Sequence, residues 1–378
     1  MEEPEEGAAA HQPQRAPKLA LSLADFDLIR RLGDGSFAQV VEVRHRATGR
    51  VYALKAVDKH LVLRHKQANY IRAERALLDR LAHPGIVRLR FTFQDAASLY
   101  LGLDLCPNGE LYDQIQRKGQ LTLAEARFYA SEIVDILAYL LEHQVVHRDL
   151  KPENLLLTAD SHLRLSDFGS AKDLAAPPPP PCRDGSARGK DLHSGRRSSS
   201  LVGSADYVSP ETLRNEPVGP ETDLWALGCI IYQMLVGKAP FRAASEYLTF
   251  ERIASGKLRV PPGVDPAAAD LIKRLLRPEP AKRLGAGKRG MQELKEHAFF
   301  RGVDWQRVRE QEPPALALPP PAEMGDENAE GLNWELTSML SALPIQYSYS
   351  DSEPLLYSTQ GLAEPALAPG DAALAATA

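Results

Sequence analysis

The sequence predicts an α+β fold in two lobes: a small antiparallel sheet carrying one main helix, followed by a larger, mainly helical part. Three observations predict it. The first periodic segments alternate apolar and polar residues, the next repeats apolar residues at helical spacing, and the periodic stretches beyond are long and helical.

Residues 26–31, 40–45 and 51–57 are the alternating segments, and Gly33-Asp34-Gly35 and Thr48-Gly49 supply turns between them, so three antiparallel strands are expected. Ile71, Glu74, Leu77, Leu78 and Leu81 then recur at helical spacing up to His83-Pro84, where the pattern stops; one helix should pack on the sheet. Residues 125–143 put Phe128, Tyr129, Ile133, Ile136, Leu137 and Leu140 on one face of a helix. Residues 224–236 are apolar almost all round, the pattern of a helix inside the large lobe. No internal repeat is visible.

The 378 residues carry 45 Lys and Arg against 50 Asp and Glu, a net charge of −5, so no global field draws the chain to nucleic acid or to an anionic bilayer. Cys106, Cys182 and Cys229 are odd in number and form no C-x-x-C pair, which argues against a disulfide framework or structural zinc. A reducing, cytoplasmic location is expected, with the nucleus also open. Residues 1–20 are acidic and then Ala/Pro/Gln-rich without an apolar core, so a secretory signal is not expected, and no apolar run approaches the roughly 18 residues of a membrane helix. Residues 1–24 and those after 313 are rich in Ala, Pro and Glu and are expected to be disordered. Residues 175–199, with five consecutive prolines at 177–181, read as an insertion. One domain, residues 25–300, is left between the ends, with lobes at about 25–103 and 107–300 and an extension at 301–378.

Chemistry enters with His147-Arg148-Asp149-Leu150-Lys151-Pro152-Glu153-Asn154 and, 13 residues after Asn154, Asp167-Phe168-Gly169. An H-R-D tripeptide alone is usually a solvated turn, but the octet followed by D-F-G resembles the protein-kinase set. That resemblance implies a bilobed kinase fold using ATP and Mg²⁺. Asp149 would align the attacking hydroxyl, Lys151 would sit near the γ-phosphate, and Asn154 and Asp167 would hold the metal. Upstream, Gly33-Asp34-Gly35-Ser36-Phe37-Ala38-Gln39-Val40 fits a phosphate loop, with Ala38 in place of its third glycine. Gly33, Gly35 and Ser36 would approach the phosphates and Val40 would cover the adenine. Lys55, in Tyr52-Ala53-Leu54-Lys55, would hold the α- and β-phosphates, with Glu74 as its partner. His147 and Phe168, with Leu78 and Leu89, read as packing that aligns these groups.

The resemblance narrows to the AGC group of Ser/Thr protein kinases and, within it, to the phosphoinositide-dependent branch. It rests on Phe91-Thr92-Phe93-Gln94-Asp95, Asn108-Gly109-Glu110-Leu111, Tyr207-Val208-Ser209-Pro210-Glu211, the run at 223–233 and Pro240-Phe241-Arg242-Ala243. It implies a Ser/Thr kinase that acts on the activation segments of other AGC kinases. Adenine would meet the backbone of Asp104 and Cys106, although Cys106 could equally be an apolar filler, and Glu110 would reach the ribose. Ser200, beside Ser198 and Ser199, matches the autophosphorylation site, where a phosphate would pair with Arg148 and Lys172. The further helix arginine of the family maps onto Ala73, with Arg72 a substitute. Asp223 and a Glu211–Arg283 ion pair are implied as scaffold.

The same resemblance implies a docking pocket on the small lobe made by Lys59, Leu63, Arg75, Thr92, Gln94 and Leu99. Partner kinases would present a Phe-x-x-Phe motif to it, a motif this chain lacks, its last phenylalanine being Phe300. The bland alternative is that Leu63 and Leu99 merely pack a helix on the sheet. The stretch after 313 is too short for a pleckstrin-homology domain, so direct phosphoinositide binding is not expected. A monomer, or a transient dimer for trans-autophosphorylation, is expected. Other AGC effector kinases and a silent kinase-fold scaffold are the alternatives; the first lacks its tail motif here, and the second usually loses Lys55, Asp149 or Asp167.

Overall fold

The computed structural model describes residues 21–176, except 36 and 66, and residues 204–317, except 316. Strands β1 (Phe26–Asp34), β2 (Ala38–His45) and β3 (Val51–Asp58) form an antiparallel meander. Asp58 then caps helix α1 (Lys59–Arg64), its carboxylate accepting the Leu61 N–H at 3.0 Å. Helix α2 (Ala68–Arg80) follows, so the small lobe carries two helices where the sequence predicts one; six residues are too few to show a helical period. Strands β4 (Leu89–Gln94) and β5 (Ser98–Asp104) complete a sheet in the order β1-β2-β3-β5-β4. Periodicity does not reveal β5, because residues 98–102 are all buried and no alternation survives.

The sheet buries two faces. On the outer one, Phe26, Val41, Val43, Leu54, Ala56, Phe93 and Tyr100 cluster, with the Phe93 and Tyr100 rings stacked at 4.6 Å. Leu21 and Leu23 pack against this cluster, which is why residues 21–24, expected to be disordered, are ordered. On the inner face Val57, Leu99 and Leu101 join Leu77 and Leu78 of α2 in the main core.

The large lobe begins with α3 (Leu111–Lys118) and α4 (Leu123–Glu142), the latter opened by a reciprocal cap between Thr122 and Glu125. Short strands β6 (Val145–Val146), β7 (Leu155–Leu157), β8 (Leu163–Leu165) and β9 (Lys172–Asp173) follow. Helices α5 (Pro210–Leu213), α6 (Glu221–Val236), α7 (Glu246–Ser255), α8 (Pro266–Leu275) and α9 (Met291–Lys295) complete it. Residues 222–234 of α6 are all buried, in line with the nearly all-round apolar pattern of 224–236, whose last two residues are partly exposed. The expected Glu211–Arg283 pair is present and deeply buried, with Arg283 Nη1 and Nη2 donating to the two carboxylate oxygens at 2.7 and 2.6 Å.

Past residue 300 the chain stays packed. Arg309 donates to Leu163 O at 2.8 Å, Glu132 O at 2.9 Å and Asp135 Oδ2 at 3.0 Å, and Lys118 Nζ donates to Ala315 O at 3.1 Å. The insertion from 177 onward, Cys182, Ser200 and the tail from 318 lie outside the described residues. Among the described residues no helix is long and apolar enough to cross a membrane.

Candidate active site

β7 and β8 pair as a hairpin, with Leu155 opposite Leu165. That brings Asn154, just before β7, against the residues leaving β8: Ser166 donates to Asn154 O from its N–H at 2.9 Å and its hydroxyl at 3.1 Å. Asp167 follows in the left-handed region (φ 57°, ψ 72°), and its carboxylate accepts the Gly169 N–H at 3.4 Å. A β-carbon on Gly169 would lie 3.1 Å from Asp167 Oδ1 and 3.7 Å from Glu74 Oε2, so glycine keeps this corner open.

The loop before β7 is held from below. Asp223 of α6 is buried, and its two oxygens accept the His147 N–H at 2.8 Å and the Arg148 N–H at 2.9 Å. Arg148 is itself left-handed (φ 66°), a conformation that persists because these bonds and its own to Ser170 O at 2.7 Å over-determine it. Asp149 is thereby presented at the cleft. Its Oδ2 accepts from Lys151 Nζ at 2.9 Å and Asn154 Nδ2 at 3.1 Å, and Asn154 Nδ2 also donates to Asp149 O at 2.7 Å. His147 meets the Phe168 ring edge-on at 5.0 Å, and Phe168 shares the buried core with Leu78 and Leu89.

The sheet supplies the opposite wall. Lys55 of β3 stands in register with Val40 of β2 and Leu101 of β5, so these residues share the inner face. Lys55 Nζ donates to Glu74 Oε1 at 2.5 Å and lies 3.5 Å from Asp167 Oδ1. Burial works against the ammonium, but the Glu74 and Asp167 carboxylates outweigh it and raise its pKa. In turn Lys55, against the cost of burial, holds the Asp167 carboxyl down to about 2. Gly33 pairs with Val40, and the Gly35 N–H donates to Ala38 O at 2.7 Å, closing the turn. Ser36 lies outside the described residues.

Between the lobes runs the segment after β5. Asp104 ends that strand, its N–H donating to Arg88 O at 3.1 Å. Its carboxylate accepts from Arg90 of β4, Nη2 to Oδ2 at 3.0 Å, and from Arg164 of β8. Burial pushes the Cys106 thiol up to about 12, so it stays protonated. Burial first, then the nearby Asp113 and Glu153, push the Glu110 carboxyl up to about 7.

Of the residues expected at the docking pocket, Lys59 and Leu63 lie on α1, Arg75 on α2, Thr92 and Gln94 on β4 and Leu99 on β5, with α1 packed on β3 and α2 on β4. Leu63 of α1 is 36% exposed, Gln94 is exposed, and Thr92, Arg75 and Lys59 are partly covered. Leu99 is only 4% exposed and belongs to the buried core, so it does not line an exposed surface. Lys59 donates to Asp95 O. Around the expected phosphate site, Lys172 lies on β9, opposite Val146, and Ala73 is exposed on α2.

Sequence reasoning missed two further ties. Arg80, near the end of α2, pairs with Asp173 of β9 at 3.1 Å, and Asp104 gathers Arg90 and Arg164. Each pairing is made by the fold between separate elements, so one sequence holds no signal for which residues pair.

The site suits a nucleotide and a hard divalent cation. Asp167 offers an ionised, half-exposed carboxylate. Asn154 commits its amide nitrogen to Asp149, which turns its amide oxygen the other way; carboxylate and amide oxygens are the donors Mg²⁺ takes.

Residues 26–300 match the model of the protein kinase domain. The chain belongs to the protein kinase family. It is 43% identical over 351 residues to 3-phosphoinositide-dependent protein kinase 1 of Arabidopsis thaliana, covering 92% of this chain and 70% of that protein. To the Homo sapiens protein of the same name it is 40% identical over 364 residues, covering 95% and 63%. Serine/threonine-protein kinase ksg1 of Schizosaccharomyces pombe is 40% identical over 301 residues, covering 79% of this chain and 49% of that one. These relatives agree with the AGC resemblance and with a Ser/Thr protein kinase.

Proposed function

We propose that this chain transfers the γ-phosphoryl group of ATP to Ser or Thr in the activation segments of other AGC kinases. The observation that carries the reading is the Lys55–Glu74 pair with Asp167 at 3.5 Å, which joins sheet, helix α2 and large lobe at one point. Lys55 then holds the α- and β-phosphates, and Asp167 and Asn154 hold Mg²⁺, which when bound neutralises charge on the phosphates. Asp149, steadied by Asn154, orients the acceptor hydroxyl and takes its proton, while Lys151 lies beside it to pair with the transferring group.

Two finer points belong to the same reading. Partners dock a Phe-x-x-Phe segment on the surface around Leu63, Gln94, Thr92 and Arg75, over Leu99 and Lys59, and phosphorylation of Ser200 pairs with Arg148 and Lys172 to order the activation segment. The cytoplasm is the expected place of action.

Incubating the protein with ATP·Mg²⁺ and an unphosphorylated AGC kinase, then mapping the new phosphosite, tests the proposal. A phosphate in the client's activation segment, absent with Asp149→Asn, is the expected result. Phosphate appearing elsewhere on the client, or none, removes it.

A further inference from the structure

We propose that the Asp104 side chain is a positioning group for the nucleotide: a carboxylate clasp, gripped by an arginine from each lobe, that fixes the segment on which the adenine rests. The proposal rests on the kinase reading above and adds to it, since that reading uses only the Asp104 backbone.

The crossing between lobes is short. Asp104 is the last residue paired in the sheet, opposite Tyr52. By Asn108 the chain is anchored in the large lobe, its N–H donating to Leu157 O at 3.2 Å and its Nδ2 to Thr158 O at 2.7 Å. Glu110 then forms a bridge with Leu156. Residues 105–107 alone carry the backbone across, and nothing in their sequence, Leu105-Cys106-Pro107, stiffens it beyond the one proline.

Side chains supply the rest. Arg90 of β4 grips both Asp104 oxygens from the small lobe, a forked geometry that fixes the carboxylate plane. Arg164 of β8 reaches the same carboxylate from the large lobe, three residues before Asp167. Asp104 is 13% exposed and Arg164 27%, so salt screens this pair less than a surface one. With Lys55–Asp167 across the cleft, the lobes are joined ionically on both sides of the nucleotide's expected position. Loosening the Asp104 side spreads the lobe orientations, and affinity falls with the fraction that remains competent.

The test uses the full chain with Arg164→Gln, Arg164→Lys and Arg90→Gln. Affinity for a fluorescent adenine nucleotide with Mg²⁺ and amide hydrogen exchange across residues 105–109 are both measured. Arg164→Gln should weaken nucleotide binding about fivefold, the upper range for an incompletely buried pair, and speed exchange across the crossing. Arg164→Lys should recover part of both, and the KM for the protein acceptor should stay unchanged. Arg90→Gln, which leaves the cross-lobe contact in place, should do less. Wild-type affinity together with wild-type exchange in Arg164→Gln overturns the clasp, as does an equal rise in the acceptor KM. If the wild-type protein binds no adenine nucleotide, the kinase reading has failed; exchange across 105–109 then decides the clasp by itself, faster in Arg164→Gln supporting it and unchanged refuting it.

Discussion

In the cleft, Lys55, Glu74 and Asp167 hold one another, and Asn154 and Lys151 both donate to Asp149. At the surface of the small lobe, Leu63 is exposed on α1 and Gln94 at the end of β4, while Leu99 is buried in the core on the inner face of the sheet. The first region is a network of ionised groups whose geometry is set from within. The second is a surface where helices pack on a sheet, and the proposed function gives it a partner segment to bind. Charge placement governs the one and buried apolar area the other, so they should respond to different perturbations.

The sharpest way to break that contrast is at Asp167. Replacement by Ala should lower phosphoryl transfer by about 10³-fold or more, because preorganised charge at the transferring group is lost. The carboxylate is half-exposed and Glu74 still pairs Lys55, so thermal unfolding should move little. Transfer of labelled phosphate to a client, with a melting curve alongside, checks both. A variant that retains wild-type transfer would show that the cleft network is scaffold.

Glu211 supplies the opposite case, an ion pair far from the cleft. Arg283 is fully buried, lies 5.2 Å over the Trp225 ring and has both carboxylate oxygens of Glu211 as partners. Glu211→Ala should cost about 3–5 kcal/mol of stability by stranding that charge. Denaturant unfolding measures it. A loss under about 1 kcal/mol would mean that water or a neighbour reaches Arg283 when its partner is gone.

How much was legible follows the same division. The cleft residues sit in short strings, residues 147–154 and 167–169, in which neighbours along the chain are neighbours in space, so spacing alone brings Asp149, Lys151 and Asn154 together. Long-range pairs stay hidden. Arg80 with Asp173, and Asp104 with Arg90 and Arg164, come from separate strands and helices with no local pattern. The first three strands and α2, α4 and α6 show their periods; β5 is buried on both faces and α1 is too short, so neither does. Burial also separates Leu63 from Leu99, two leucines that look alike in the sequence.

The outer surface is tested where it is exposed. Leu63→Glu should reduce phosphorylation of an intact AGC kinase about tenfold, while a short peptide acceptor lacking the Phe-x-x-Phe segment is phosphorylated at the wild-type rate. Leu99→Glu is the wrong probe, since a carboxylate at a position 4% exposed destabilises the lobe whatever docks outside. Equal losses on both acceptors for Leu63→Glu would fold the docking surface into the catalytic one and remove the distinction.

Glu110 gives the smallest and most specific effect, because its ionisation and not its presence is at issue. Its carboxyl is raised from 4.5 to about 7 by burial, then by Asp113 and Glu153, with Lys151 opposing. A proton is therefore held more tightly in the folded protein, so this group's contribution to stability is present below about pH 4.5 and gone once pH rises through about 7. The nucleotide moves the other way. A ribose hydroxyl donates better to a carboxylate than to a carboxylic acid, so the KM for ATP should fall a few-fold as pH rises through about 7. Glu110→Gln, which cannot ionise, should flatten that profile at the weaker end. A KM that rises with pH in the wild-type protein, or an unchanged slope in the Gln variant, would place the titrating group elsewhere in the cleft.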